Sequence, residues 1–338
     1  MVIKVNSANI QIGSFTLSED STGLVFDGDL VSVSLTELGG KYLMGGVSGY
    51  TTGGISHAPS PAISNVIDKF SFATNANATD VGDLSVARMW GTGQSSKVSG
   101  YTSGGQSAPT TSSNIIDKFP FAADGNATDV GDLTTIRHLT SGQSSNDNGY
   151  TSNGVDPSLP GSSNVIDKFP FASNANATDV GDLTPTGGGT GHSSTSHGYS
   201  VGSSIDRFPF ATNANATNVG PYSSPLNYAA GQSSSVAGYI SGGGIPPNGS
   251  TTINKFLFST NAVSNSVGDL SYGRYLSTGQ SAMAAGYTSG GNALTPGSYT
   301  FIAAAGNVVD KFPFASEGTA TDVGDLTVSR YKVQGQQH

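Results

Sequence analysis

Repetition constrains this chain more than any other feature. A Gly-Tyr pair recurs with Tyr at positions 50, 101, 150, 199, 239 and 287, in steps of 51, 49, 49, 40 and 48 residues. A Phe-x-Phe unit follows each pair, at Phe70/Phe72, Phe119/Phe121, Phe169/Phe171, Phe208/Phe210, Phe256/Phe258 and Phe312/Phe314. A repeat of about 20–50 residues is one supersecondary unit that buries its apolar face only against its neighbours.

One copy, residues 88–133, reads as four strands. They are a Gly/Ser-rich "MWGTGQSSKV", then "SGYTSGG", "NIIDKFPF" and "ATDVGDL". Paired glycines permitting positive φ end the second strand. The Asp-Gly of "AADGN" suits the tight turn before the fourth. No segment sustains a helical period, so almost no helix is expected. The composition agrees, with 47 glycines in 338 residues and only 11% charged residues. Tandem four-stranded units of this kind predict an all-β fold, a β-propeller.

Alternation along the third strand puts Phe119 and Phe121 on one face, assigned to the layer between neighbouring sheets. Pro120 between them cannot donate a ladder bond and belongs near a strand end.

The two ends suggest one disguised copy. Residues 330–335 repeat the spacing of 88–93, and then the chain stops. Residues 1–36 hold three further strands, "NIQIGSFTL", "GLVFDG" and "LVSVSLT". One C-terminal strand plus three N-terminal strands predict a seventh four-stranded blade that hides the strand edges. The chain then reads as a single domain, 1–338. Residues 1–36 and 328–338 make the closing blade, and 37–327 hold six repeats. Six blades plus an N-terminal extension is the alternative.

The order of Gly/Ser strand, "GYTSGG", paired-aromatic strand and fourth strand before an Arg resembles the kelch repeat. It departs from kelch in lacking the fourth-strand Trp, where Leu84, Leu133, Leu183, Leu270 and Leu326 stand. The wording "IDKFPFA…NATDVGDLT…GQSS…GYTSGG" also resembles propeller repeats encoded by marine bacteriophages, especially those of cyanobacteria. That resemblance implies a virion or tail-associated protein made in the host cytoplasm. Its partners would be other virion proteins, further copies of itself, or a host-surface glycan or receptor. Fold alone does not give function.

Charge and composition remove several classes. The net charge of −9 leaves no basic stripe for phosphates, so nucleic-acid binding is not expected. No cysteine is present, which excludes disulfides and thiolate sites. The first 17 residues lack the apolar core of a signal peptide. No run of about 18 apolar residues suggests a membrane span.

Most chemistry-bearing residues repeat blade by blade, which points to structure. The pairs Asp80/Asp83, Asp129/Asp132, Asp179/Asp182 and Asp322/Asp325 offer two carboxylates, whereas calcium takes about six to eight oxygens. A hydrogen-bonded turn is the reading, with calcium the alternative. The Asp of each "IDK" unit (Asp68, Asp117, Asp167, Asp310) is expected to meet Arg88, Arg137, Arg274, Arg330 or a backbone amide near a blade junction. The ring Gln94, Gln143, His192, Gln232, Gln280 and Gln336 lines the central channel if the first strand is innermost. There it holds water or a ligand, or simply fits a narrow hub. The "NAT" sequons at Asn77, Asn126, Asn176 and Asn215 read as turns. His192 and His197 have no third ligand nearby, so no metal site is assigned, and no cofactor is expected. No G-x-S-x-G, H-E-x-x-H or phosphate loop occurs, so no enzyme is expected.

The loop after "GYTSGG" differs in every copy and lies on the face that carries the links between blades, while the "NANATD" turns are nearly constant. Loops on a rigid scaffold commonly carry binding. Candidate contacts are Tyr299, Phe301 and Ile302 in the longest loop, with His57 and Asp156 in two shorter ones. The expected function is a non-enzymatic virion protein of tail-fibre or adhesin type. The alternatives are a structural capsid or tail decoration, and a propeller-scaffold glycan-active enzyme.

Overall fold

The computed structural model describes residues 3–5, 9–12, 15–20, 23–27, 44–57, 61–184, 189–222, 227–245, 248–292 and 306–338. Every regular element among them is a β-strand. The chain divides into two compact units, Met1–Lys41 and Tyr42–His338. The first is an antiparallel meander of Ile3–Val5, Asn9–Ile12, Phe15–Asp20 and Gly23–Asp27.

The second unit is propeller-like. Its described residues form six antiparallel sheets built on one four-strand plan. In the sheet made from residues 92–132, the order is Thr92–Ser95, Ser99–Ser103, Ile115–Pro120 and Thr128–Asp132. We call these the inner, second, third and outer strands. Pro120 is the last residue of its strand, where a missing N–H costs no ladder bond.

Register explains the Gly-Tyr and Phe-x-Phe pairing. Gly100 lies opposite Phe119 across the second and third strands. A Cβ on Gly100 would strike the Phe119 ring. The glycine thus opens a slot that the partner's ring fills, and the same relation holds at Gly49/Phe70, Gly149/Phe169 and Gly198/Phe208. Tyr101 then reaches the next sheet and stacks on Phe171, with centroids 4.8 Å apart and planes at 26°. Each such aromatic pair adds about 0.5–1.5 kcal/mol beyond area burial.

Among the described residues, the C-terminal strand expected to close a seventh sheet lies elsewhere. Gln334–Gln337 is instead the inner strand of the sheet that holds Ser48–Thr52, Val66–Ser71 and Thr79–Asp83. Residues 1–36 were expected to join it, but the described strands among them pair with one another. The physical reason is stoichiometric. Each Gly-Tyr strand needs one Gly-Gln-type inner strand, and six of each exist; the sixth inner strand is supplied by Gln336 and its neighbours.

Inner strands contact one another in the order Thr92–Ser95, Ser141–Ser144, Thr190–Ser193, Ala230–Ser233, Thr278–Ser281, Gln334–Gln337 and back to Thr92–Ser95. A belt of side-chain bonds follows the same order. Ser144 Oγ accepts from Ser95 N, Ser193 Oγ from Ser144 N, Ser233 Oγ from Ser193 N, and Ser281 Oγ from Ser233 N, at 2.9–3.1 Å. Gln337 N donates to Ser95 Oγ at 2.9 Å. The inner glycines allow this approach, since a Cβ on Gly231 would lie 2.7 Å from the Gly191 carbonyl oxygen.

Candidate functional site

The repeating polar residues are used within and between sheets. Among the described residues four ion pairs are buried: Arg88–Asp117 at 2.9 Å, Arg137–Asp167 at 2.7 Å, Arg330–Asp68 at 2.6 Å, and Arg274–Asp310. Burial lowers each guanidinium's pKa and the Asp raises it back in part. The same carboxylates accept backbone N–H groups from the preceding link, as Asp117 does from Ser85 at 3.1 Å. Each Asp therefore sits at a junction, as its repetition implied. In the sheet of Asn254 the ion pair gives way to a neutral contact, Asn254 Nδ2 donating to the Tyr222 hydroxyl at 2.9 Å.

The glutamines point into neighbouring sheets. Gln94 Nε2 donates to Ser103 Oγ, Tyr150 O and Thr151 Oγ1 at 2.9–3.0 Å, and Gln280 Nε2 makes the equivalent set. These amides staple sheets together. His192 replaces Gln in one copy, between Thr190 Oγ1 at 2.8 Å and the Gln232 carbonyl at 3.0 Å. Burial lowers its pKa to about 4. Val201 stands where other sheets place Ser103 and Ser152, so the imidazole comes with a less polar surround.

Both members of each Asp pair lie in an outer strand, as in Thr128–Asp132, and not in the expected turn, with the first Asp bonded to the backbone of its own strand. Asp80 Oδ1 accepts from Gly82 N at 3.1 Å, as Asp129 does from Gly131. Asn126 Oδ1 of the next "NAT" segment accepts from Asp83 N at 3.0 Å, and Asn176 repeats this with Asp132. The uniform turns thus stitch neighbouring sheets together, which accounts for their constancy.

A different group of residues does not repeat. Four described links pair with the variable loop that follows: Met89 with Gln106, His138 with Val155, Tyr275 with Asn292, and Tyr331 with Ile55. Links and loops therefore share one end of the sheets. There the link residue two places before the inner strand is Trp90, Leu139, Tyr228, Leu276 or Lys332, and all five have φ between 56° and 61°. A left-handed backbone costs a non-glycine residue about 1–2 kcal/mol. Backbone bonds between successive links offset it: Leu139 N to Trp90 O, Leu276 N to Tyr228 O, and Lys332 N to Leu276 O, each at 2.8 Å.

These five residues line a cavity of about 380 Å³ at the loop-bearing end of the inner strands. Thr92, Thr140, Ser141, Thr190, Ser277 and Thr278 give it hydroxyls. An arc of rings around one cation runs beside it. Lys332 Nζ lies 3.7 Å from the Trp90 ring centroid and 5.2 Å from that of Tyr331. The Trp90 ring stacks on His138 at 5.5 Å, and Tyr331 stacks on His57 at 4.5 Å. Ser112 Oγ is 3.0 Å from His138 Nδ1. Burial lowers the Lys332 ammonium. Burial and then Lys332 lower His138, and burial takes His57 to about 4. At neutral pH both imidazoles are uncharged and Lys332 is the cation.

The sequence candidates fall unevenly on this arrangement. His57 joins the arc through Tyr331. Asp156 is 3% exposed and its Oδ1 accepts from Ser158 N and Oγ at 2.8 and 2.6 Å, so its carboxylate shapes its own loop. Tyr299, Phe301 and Ile302 lie outside the described residues. Trp90, Lys332, Tyr331, His138 and Tyr228 were missed. Part of that signal was present in the repeat: after each recurring Arg the following pair changes, Met89-Trp90, His138-Leu139, Tyr275-Leu276 and Tyr331-Lys332, although no Arg precedes Tyr228.

No known protein family matches the chain, and no curated protein matches it.

Proposed function

We propose that Tyr42–His338 closes as a six-bladed, kelch-like propeller and serves as a non-enzymatic recognition module. In this reading it is a bacteriophage virion protein of tail-fibre or adhesin type, engaging a host-surface glycan or receptor at the loop-bearing end. One observation carries it. The cavity is floored by the glycine that recurs in every inner strand, while the link residues above it, Trp90, Leu139, Tyr228, Leu276 and Lys332, are of four different types. A rigid frame with its variation gathered at one pocket suits binding.

The reading is tested by labelling the purified protein and measuring its adhesion to cyanobacterial host cells. A Trp90→Ala, Tyr228→Ala double variant should lose most adhesion while melting cooperatively. Unchanged adhesion would overturn the reading. Mass spectrometry of purified particles tests the virion assignment, which fails if the chain is absent from them.

The structural-decoration reading has its own support. The turns joining inner and second strands, at the other end of the inner strands, expose Val98, Val236 and Met283 by 59–66%, and Val47, just before Ser48–Thr52, is 54% exposed. Exposed apolar side chains repeated around one end suit packing on other virion proteins. Recognition at one end and mounting at the other are compatible roles.

A further inference from the structure

Lys332 is the one charged side chain among the described residues lining the cavity. It forms no ion pair among the described residues, and its neighbours are the Trp90 and Tyr331 rings and Met89 Sδ at 3.9 Å. The described basic partners of buried carboxylates are all arginines committed to Asp within their own sheets. A half-buried ammonium held by ring faces and a thioether carries charge that no described carboxylate balances.

Three polar atoms buried in the wall of the same cavity also lack a partner. Trp90 Nε1, Thr140 Oγ1 and Ser277 Oγ are buried atoms without a hydrogen-bond partner, and Ser277 is only 8% exposed. Leaving such a group unpaired costs about 1–3 kcal/mol. Tyr228 lines the cavity with 44% of its surface exposed. An exposed ring and the hydroxyls of Thr92 and Thr278 around one cation match a polyhydroxylated ring with apolar C–H faces and one negative charge. A dianion such as a phosphate monoester would call for a second cation or an Arg fork. The chain's net charge of −9 gives an anion no long-range attraction, so selection must be local.

We propose that this cavity binds a sugar ring bearing a carboxylate, with Lys332 as its counter-charge and the ring against Tyr228. The proposal rests on the recognition reading above and names its ligand class. Trp90 is the chain's only tryptophan, so its fluorescence reports on the cavity alone.

The experiment titrates the full chain with sodium galacturonate, galactose and sodium acetate at constant ionic strength, reading tryptophan emission. Galacturonate should give a saturable change, with galactose and acetate each weaker by at least about tenfold. Lys332→Met should abolish the galacturonate preference while the thermal transition stays cooperative. An equal response to galactose overturns the charge assignment, an equal response to acetate overturns the sugar, and no response overturns both. The wild-type comparison stands without the variant if Lys332→Met does not fold. Host adhesion by a folded Lys332→Met chain keeps the recognition reading and sinks this one. A galacturonate response without adhesion does the reverse.

Discussion

Asp117 shows what a repeated charge does in this molecule. It is fully buried, paired with Arg88 and hydrogen-bonded to the Ser85 amide of the neighbouring link. Removing one partner of a buried pair strands the other, at a cost of about 3–5 kcal/mol. Asp117→Ala is therefore expected to destabilise by that amount in urea unfolding, and an Asp117→Leu, Arg88→Met double variant should recover much of it. His192 gives a pH dependence of definite sign. Its folded pKa of about 4 lies below the ordinary 6.5, so the unfolded chain takes up the proton first as pH falls. Its contribution is complete above about pH 6.5 and is lost between there and about pH 4. His57 acts in the same direction. Unfolding midpoints at pH 7 and pH 4.5 should converge in His192→Gln relative to wild type. At pH 7 that variant should be less stable, because Val201 offers the amide no hydroxyl.

At the scale of strands, the second and third strands are bound by a shape relation. The Gly100 slot exists for the Phe119 ring, so Gly100→Ala should cost a few kcal/mol, as overpacking does. Phe119→Leu in the same chain should relieve part of that loss in a thermal melt. This relation was legible in the sequence, because Gly-Tyr and Phe-x-Phe recur in step and alternation fixes their faces. The Asp–Arg junctions were legible for the same reason. The strand inventory at the ends was not. Residues 9–27 alternate much as a repeat does, and pattern alone does not say which edge a strand will choose. The arc around Lys332 was harder still, since 243 residues separate Lys332 from Met89. Proximity of that kind belongs to the return of the last inner strand beside the first repeats. The αL backbone at Trp90 and Lys332 left no mark either, because bulky residues occupy a conformation where glycine is usual.

For the molecule as a whole, stability is distributed through contacts between neighbouring sheets: the Ser belt, the Gln staples, the Tyr–Phe stacks and the outer Asn caps. Gln336 shows how the last residues enter this arrangement. Its Nε2 donates to Tyr101 O and Thr102 Oγ1 of one sheet while its strand pairs with Ser48–Thr52 of another. Deleting residues 334–338 should therefore lower the midpoint for the whole second unit, seen as one shifted transition in a calorimetric scan. A separate low-temperature transition confined to one sheet would contradict this distributed picture.

The pairing of Gln334–Gln337 with Ser48–Thr52 also sets a timetable. Ser48–Thr52 is among the first strands of its unit to leave the ribosome, and its inner partner is the last. Throughout synthesis a Gly-rich strand edge stands open, its amides and carbonyls unanswered. Two copies growing close together on one message each carry the missing piece of the other. Reciprocal exchange of the final strand between nascent chains is thus the characteristic misassembly route. It would surface as a dimer fraction that rises with expression rate and vanishes on slow refolding at low concentration.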